Sequence, residues 1–257
     1  MFPRINLPEI EDQQWCPHWI RNCLTEYLEG LFRVFKPYKS IYPKLHATLE
    51  RVDTLQIIDL CSGSGGPIRD LQSYFSKQKK QVSLMLTDQY PPSASRIALL
   101  NSLKIDYFPT QIDARKVPSD LVGFRTIFTA LHHFRQAEAK ELIASAVRDG
   151  HGFAAFEVTE RSLRGLLVAL VTPILVIIIT PFLRPFRKSR MFFTYIVPLL
   201  PLLIAWDGLA SMLKSYSRQE LLELSAEFPQ WHWEVGSTQS GALLPVKYLI
   251  GTRVAPL

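Results

Sequence analysis

Apolar positions follow a helical period from the start of the chain. Between residues 11 and 35, Trp15, Trp19, Cys23, Tyr27, Leu31 and Phe35 recur every fourth position, with Ile20, Leu24, Leu28 and Phe32 beside them. That spacing predicts one helix with a wide apolar face. Pro37 ends it, and Ile41, Leu45 and Leu49 predict a second. The pattern then alternates. Short apolar runs over 56–60, 82–87, 107–112, 125–130 and 151–158 predict strands, and residues 68–75, 95–103 and 137–148 predict helices between them. Strands alternating with helices predict a parallel α/β sheet. A helix over 217–228, with a plausible serine cap, and strands over 231–235 and 246–253 would complete the same sheet.

One stretch breaks this rhythm. Residues 165–183 carry no charge, residues 191–206 carry none either, and Arg184, Arg187, Lys188 and Arg190 lie between them. The first run is just long enough to span a bilayer and the second is short. Pro173, Pro181, Pro198 and Pro201 interrupt both. The pattern therefore divides into an N-terminal helical cap over 1–51, a sheet domain over 52–160 and 207–257, and a hydrophobic insertion over 161–206. Three readings of the insertion stay open: a buried helical hairpin, a transmembrane hairpin and a shallow or re-entrant one. A spanning hairpin would put the basic loop on the far side, against the positive-inside tendency. A re-entrant one would return it to anionic headgroups.

Composition narrows the classes. Hydrophobic residues make up 47% and charged ones 20%, which excludes a disordered chain. The formal charge of +6 favours acidic partners, nucleic acid or an anionic membrane. No long basic run lies beside aromatic platforms, so nucleic acid is not the expected partner. Cys16, Cys23 and Cys61 are an odd, sparse set that suggests a reducing compartment. Cys16 and His18 lack a second ligand pair at metal-finger spacing, so no metal is expected. The N-terminus lacks the apolar core of a signal peptide. His18 and His46 read as surface or core histidines.

Candidate chemistry centres on residues 56–67. A strand runs into Cys61-Ser62-Gly63-Ser64-Gly65-Gly66, and Pro67 suits the opening of a helix. Such a turn brings backbone N–H groups close to a ligand at a helix N-terminus. Counted from Gly63, a dinucleotide fingerprint would need glycine or alanine where Ile68 stands, and a phosphate loop would need a Lys-Ser/Thr pair. Neither fits.

Asp59-Leu60-Cys61-Ser62-Gly63-Ser64-Gly65 resembles the first motif of the class I S-adenosylmethionine-dependent methyltransferases, with Cys61 in place of the usual first glycine. The resemblance covers roughly residues 52–160 and 207–254. It implies a Rossmann-like class I methyltransferase sheet, here with the helical cap and the apolar helical insertion, and S-adenosylmethionine as cofactor. It also implies cofactor-binding roles for Asp59, Cys61, Gly63 and Gly65, for Asp88 on the ribose hydroxyls, and for Asp113 beside Ala114 on the adenine amine. Residues 129–133, opening with Thr129, would line the methyl-transfer site. The resemblance ends with the last antiparallel strand at 246–253.

A base is needed only if the acceptor must lose a proton, and histidine suits that task near neutral pH. His133 and His132 stand at the fourth strand's end, with His133 one residue further into the loop. Glu157 ends the fifth strand, where it could face a substrate pocket; Glu160 and Arg161 are weaker candidates. The expected function is methylation of a hydrophobic small molecule or lipid at a membrane, with the catalytic domain cytoplasmic. The alternative is a non-catalytic, membrane-associated scaffold with the same fold. An amino-group methylator of bases would often carry Asn/Asp-Pro-Pro-Tyr/Phe where this chain has Thr-Ala-Leu-His-His-Phe.

Overall fold

The computed structural model describes residues 2–149, 151–239 and 245–253; the predicted domain limits at residue 1 and at 254–257 lie outside these. The chain enters as an irregular arm and forms α1 (His18–Phe35) and α2 (Tyr42–Arg51). The predicted first helix therefore begins late. Pro17 stands at its N-cap and residues before it stay in the arm, so Trp15 is exposed. Lys36 in the left-handed conformation, followed by Pro37, ends α1.

The sheet units follow in the predicted order: β1 (Gln56–Leu60), α3 (Gly66–Lys77), β2 (Ser83–Leu86), α4 (Ala94–Ser102), β3 (Asp106–Tyr107), β4 (Phe124–Phe128), α5 (Gln136–Asp149) and β5 (Phe153–Glu157). The strand expected over 107–112 shrinks to a two-residue edge strand, since Pro109 has no N–H for a ladder. After β5 come α6 (Leu163–Ile179), α7 (Lys188–Tyr195), α8 (Leu199–Lys214), α9 (Arg218–Ala226), β6 (Trp231–Thr238) and β7 (Val246–Arg253). Ser217 and Glu220 close a capping box on α9.

Among the described residues the strands form one seven-stranded sheet in the order β3-β2-β1-β4-β5-β7-β6. β7 runs antiparallel to β5 and β6, and the other pairs are parallel. Chain direction across the sheet reverses between β1 and β4, so a crevice opens at their carboxyl ends. β4 and β5 are buried along their full length, as a parallel sheet covered on both faces requires.

The cap and the insertion meet in one helical layer. Cys23, Leu24 and Tyr27 of α1 pack with Val176, Leu183, Leu200 and Ile204. The second apolar run does not form a single helix: α7 and α8 meet at a 76° bend, and α8 continues through Asp207 and Gly208 to Lys214. The segment Leu163–Phe182 is long and apolar enough to cross a membrane. Its small residues Gly165 and Ala169, with Val176, form the buried stripe. Leu163, Leu167, Leu170, Ile174 and Ile178 form a second stripe at helical spacing that stays exposed.

Candidate functional site

The glycine turn between β1 and α3 alternates left-handed residues: Cys61 at φ 56°, Gly63 at φ 50° and Gly65 at φ 75°. Cys61 carries a strain of about 1–2 kcal/mol that glycine would avoid. Burial and the nearby Asp88 and Asp59 carboxylates push its thiol far up, so it stays neutral. Gly65 does not line the pocket below, although its position in the motif implied cofactor contact. A Cβ there would lie 2.8 Å from Leu86 and 3.2 Å from Leu100, so this glycine serves close packing behind the loop.

Asp59 braces the turn. Its Oδ1 accepts from the Thr126 hydroxyl and its Oδ2 from Ser62, both at 2.6 Å. Burial pushes its carboxyl up to about 7. Asp88, just beyond β2, accepts the Gly63 N–H at Oδ2 and the Tyr90 N–H at Oδ1, both at 2.7 Å. Burial raises its carboxyl too. Each Asp88 oxygen keeps a lone pair for a ligand hydroxyl. Asp113 is half-buried and clamped by Arg115, whose Nη2 lies 2.7 Å from Oδ2. A ligand amine at Asp113 would share it with that guanidinium.

These residues surround a pocket of about 520 Å³ at the carboxyl edge of the sheet. Asp59, Cys61, Gly63, Asp88, Asp113, Ala114, Thr129 and His133 all line it, and Arg21, Thr25 and Phe32 of α1 form the opposite wall. A second, apolar pocket of about 210 Å³ adjoins it between α1, α6 and α8. Glu11, Leu28, Phe32, Thr129 and His133 belong to both walls, so the two spaces meet at these residues. Thr129 stands at φ 46°, a strained position for a β-branched residue. Its hydroxyl bonds the Tyr38 hydroxyl and accepts the Val158 N–H.

A short 3₁₀ turn, Leu131–His133, carries the two histidines beside this junction. His132 is buried, and its Nδ1 lies 2.7 Å from Glu157 Oε2, while Glu157 Oε1 accepts the Leu131 N–H at 2.8 Å. Glu157 therefore lines neither pocket. It holds the His132 ring and the turn from behind. Burial would raise the Glu157 carboxyl, but His132, Lys247 and the Leu131 N–H together hold it below the usual range. His133 Nδ1 lies 2.7 Å from Asp12 Oδ2. Burial pulls this imidazole down, yet the Asp12 and Glu9 carboxylates outweigh it and take it up to about 10. His133 is thus an imidazolium at neutral pH, which argues against it as a base.

Sequence reasoning missed the arm that completes this wall. Glu9 is buried against Lys214 of α8 at 2.6 Å, and Asp207 accepts the Ile10 N–H at 2.6 Å and the Glu11 N–H at 3.3 Å. Glu11 is pushed up to about 8 by burial and by Glu9. One sequence signal was available. Asp207 and Lys214 are single charges seven residues apart in an otherwise apolar helix, hence on one face and in need of partners.

No protein-family model and no curated protein sequence matches the chain. Solved structures do. The plantazolicin methyltransferase BpumL in complex with SAH superposes with a TM-score of 0.51 at 12% identity, over 92% of this chain and 96% of that one. PigF with SAH gives 0.50 at 15% identity, over 95% of this chain and 68% of that one. A Rhodobacter sphaeroides protein named for the zinc-dependent alcohol dehydrogenases gives 0.51 at 11% identity, over 91% and 98%. At these identities the likeness is one of fold, the α/β fold of the class I methyltransferases with its mixed seven-stranded sheet.

Proposed function

We propose that the chain is an S-adenosylmethionine-dependent methyltransferase that acts on a hydrophobic small molecule or lipid at a membrane. The observation that carries this reading is the pair of joined pockets. One has a lining of mixed polarity and lies over the glycine turn, the other is mostly apolar, and they share a wall at the carboxyl edge of β4. The residues present fit the cofactor. Gly63, in the left-handed conformation at φ 50°, lines the pocket with bare backbone. Asp88 offers spare lone pairs for ribose hydroxyls. Two of the fold neighbours were crystallised with SAH, the demethylated form of this cofactor.

The cofactor supplies a methyl group already activated on sulfur. The protein's part is alignment of an acceptor across the shared wall and disposal of its proton. Glu9, His132 and His133 face the apolar pocket and form its polar end. Glu157 fixes the His132 ring so that Nε2 points away from it, toward Glu9. Incubation with labelled S-adenosylmethionine and a lipid extract, followed by mass analysis of labelled products, tests the reading. A labelled hydrophobic product is expected. Cofactor binding without transfer to any extract would favour the scaffold alternative.

The membrane half of the proposal rests on the exposed face of the insertion. Phe182 is 78% exposed, Ile196 71% and Leu163 66%, and exposed Phe186 lies beside exposed Arg184 and Lys188. Arg187 and Arg190 instead pair with Glu26 of α1. Aromatic side chains flanked by exposed basic ones suit an anionic bilayer surface. α6 packs along α8 and α1 and walls the apolar pocket, which favours a helix lying in the interface over one that leaves the domain to span. Phe182→Glu should abolish sedimentation with vesicles containing anionic lipid while thermal stability holds. Equal sedimentation of the variant and the native chain sinks the anchoring claim.

A further inference from the structure

We propose that Glu9, His132 and His133 form a binding site for one divalent transition-metal ion of the zinc class, open toward the apolar pocket. One ligand atom from each residue falls in a group whose members all lie within 4.8 Å of one another. The two imidazoles are prepared in the same way. Each has Nδ1 on a carboxylate at 2.7 Å, His132 on Glu157 and His133 on Asp12. Each then turns Nε2 toward the same carboxylate, Glu9, at 3.6 and 3.8 Å. A carboxylate behind a histidine that fixes its tautomer and orientation is the outer shell of metal-ligating histidines. Ligands at roughly 2.1 Å around a tetrahedral ion stand about 3.4 Å apart, so the three ligand atoms, now within 4.8 Å of one another, must draw in on binding by up to about an ångström.

A second observation points to a ligand. His132 is 1% exposed, and its Nε2 has no hydrogen-bond partner among the described residues. A buried ring nitrogen without a partner is costly in a protein interior. The Lys214 ammonium lies 2.6 Å from Glu9 Oε1, yet Oε1 too lacks a well-directed hydrogen bond. Glu9, Asp12 and Glu157 are three acids around two imidazoles, with the Lys214 ammonium on Glu9 and Asp12 and the Lys247 ammonium acting on Glu157. An ion at the three ligands supplies further positive charge, with the flexible Lys214 stem drawing its ammonium back.

Once the ion displaces the Nε2 proton of the His133 imidazolium, two imidazole nitrogens and one carboxylate oxygen suit zinc, iron(II) or manganese(II), and three protein ligands leave a coordination position open. Glu9, His132 and His133 all line the apolar pocket, so that position faces it. An oxygen donor, the hydroxyl of a hydrophobic molecule, fits there. This last step rests on the acceptor reading of the pocket; metal binding itself does not.

The test uses the full chain, stripped with a chelator and dialysed against Zn²⁺, with bound metal counted by mass spectrometry and Co²⁺ binding followed by visible absorption. One ion per chain is expected, with nitrogen- and oxygen-type Co²⁺ bands. Glu9→Gln and His132→Ala should each weaken binding at least tenfold, and His232→Ala, at an exposed position on β6, should leave it unchanged. Absence of stoichiometric binding, or equal affinity in Glu9→Gln and His132→Ala, overturns the site. A sulfur-to-cobalt charge-transfer band would place the ion at a cysteine and overturn it as well. S-adenosylmethionine titrated into the same stripped protein keeps the two proposals separable, since either can fail while the other stands.

Discussion

The two halves of the site are built over different lengths of chain. On the glycine-turn side the bracing contacts are shorter: Ser62 reaches Asp59 three residues back, Arg115 reaches Asp113 over two, Gly63 meets Asp88 across 25 residues and Thr126 meets Asp59 across 67. On the acceptor side, Asp12 meets His133 across 121 residues and Ile10 meets Asp207 across 197. The first half is a strand-turn-helix unit whose geometry follows from its own glycines. The second exists only when the arm, the 3₁₀ turn and α8 have all docked. Damage to one half should therefore leave the other working, and four variants test that separation.

The largest effect is expected at His132. If the acceptor loses its proton or is held at this residue, His132→Ala should cut labelled methyl transfer by about 10²–10⁴-fold. Cofactor affinity, measured by calorimetry, should stay at the native value because His132 lines only the apolar pocket. A matching fall in cofactor affinity would break the separation. Next comes Asp88→Ala. Loss of charge-assisted hydrogen bonds worth about 1.5–3 kcal/mol should weaken S-adenosylmethionine binding at least tenfold, with vesicle sedimentation untouched. Unchanged calorimetry would remove Asp88 from the cofactor side.

The same contrast explains what the sequence revealed. The order of strands and helices, the sheet class and the glycine turn were legible because each is set by local periodicity and small residues. Asp88, Asp113 and Thr129 were reachable because strand ends in a parallel sheet point at one edge. Glu9, Asp12, Asp207 and Lys214 were not, since charges brought together over such separations leave no periodic mark. Glu157 was found at the right strand end with the wrong orientation, because only the three-dimensional turn shows that it faces His132. Pro198 and Pro201 marked a break in the second apolar run, and the bend falls just before α8, at Pro198; its angle of 76° is set by packing that composition cannot give.

A smaller, structural effect should appear at Gly165, where α6 begins beside the apolar pocket. A Cβ there would come within 1.9 Å of the Glu160 carbonyl oxygen, so the backbone must move. Gly165→Ala should destabilise the fold by about 1–3 kcal/mol, read as a fall in denaturation midpoint. The cofactor side should keep its affinity below that midpoint. An unchanged midpoint would mean that the helix start is looser than the packing of Gly165 against Glu160 and Met212 indicates.

The most local effect isolates the brace behind the glycine turn. Asp59 is held in the folded chain at about 7, well above its unfolded value of 3.8, chiefly by burial. An acid whose folded value is raised binds its proton more tightly when folded. Its contribution to stability is therefore complete below 3.8 and is lost as pH rises through about 7. Asp59→Asn removes this titration while keeping the shape. The amide oxygen still accepts from Thr126, and the Ser62 hydroxyl, which also donates to the Asp59 carbonyl at 2.9 Å, can accept from the new amide. The unfolding midpoint of the variant relative to the native chain should thus climb as pH rises between those two values. A difference that stays flat across that window would show that Asp59 titrates normally. The brace would then be a solvated loop contact, and the glycine-turn half would be less rigid than its short-range geometry implies.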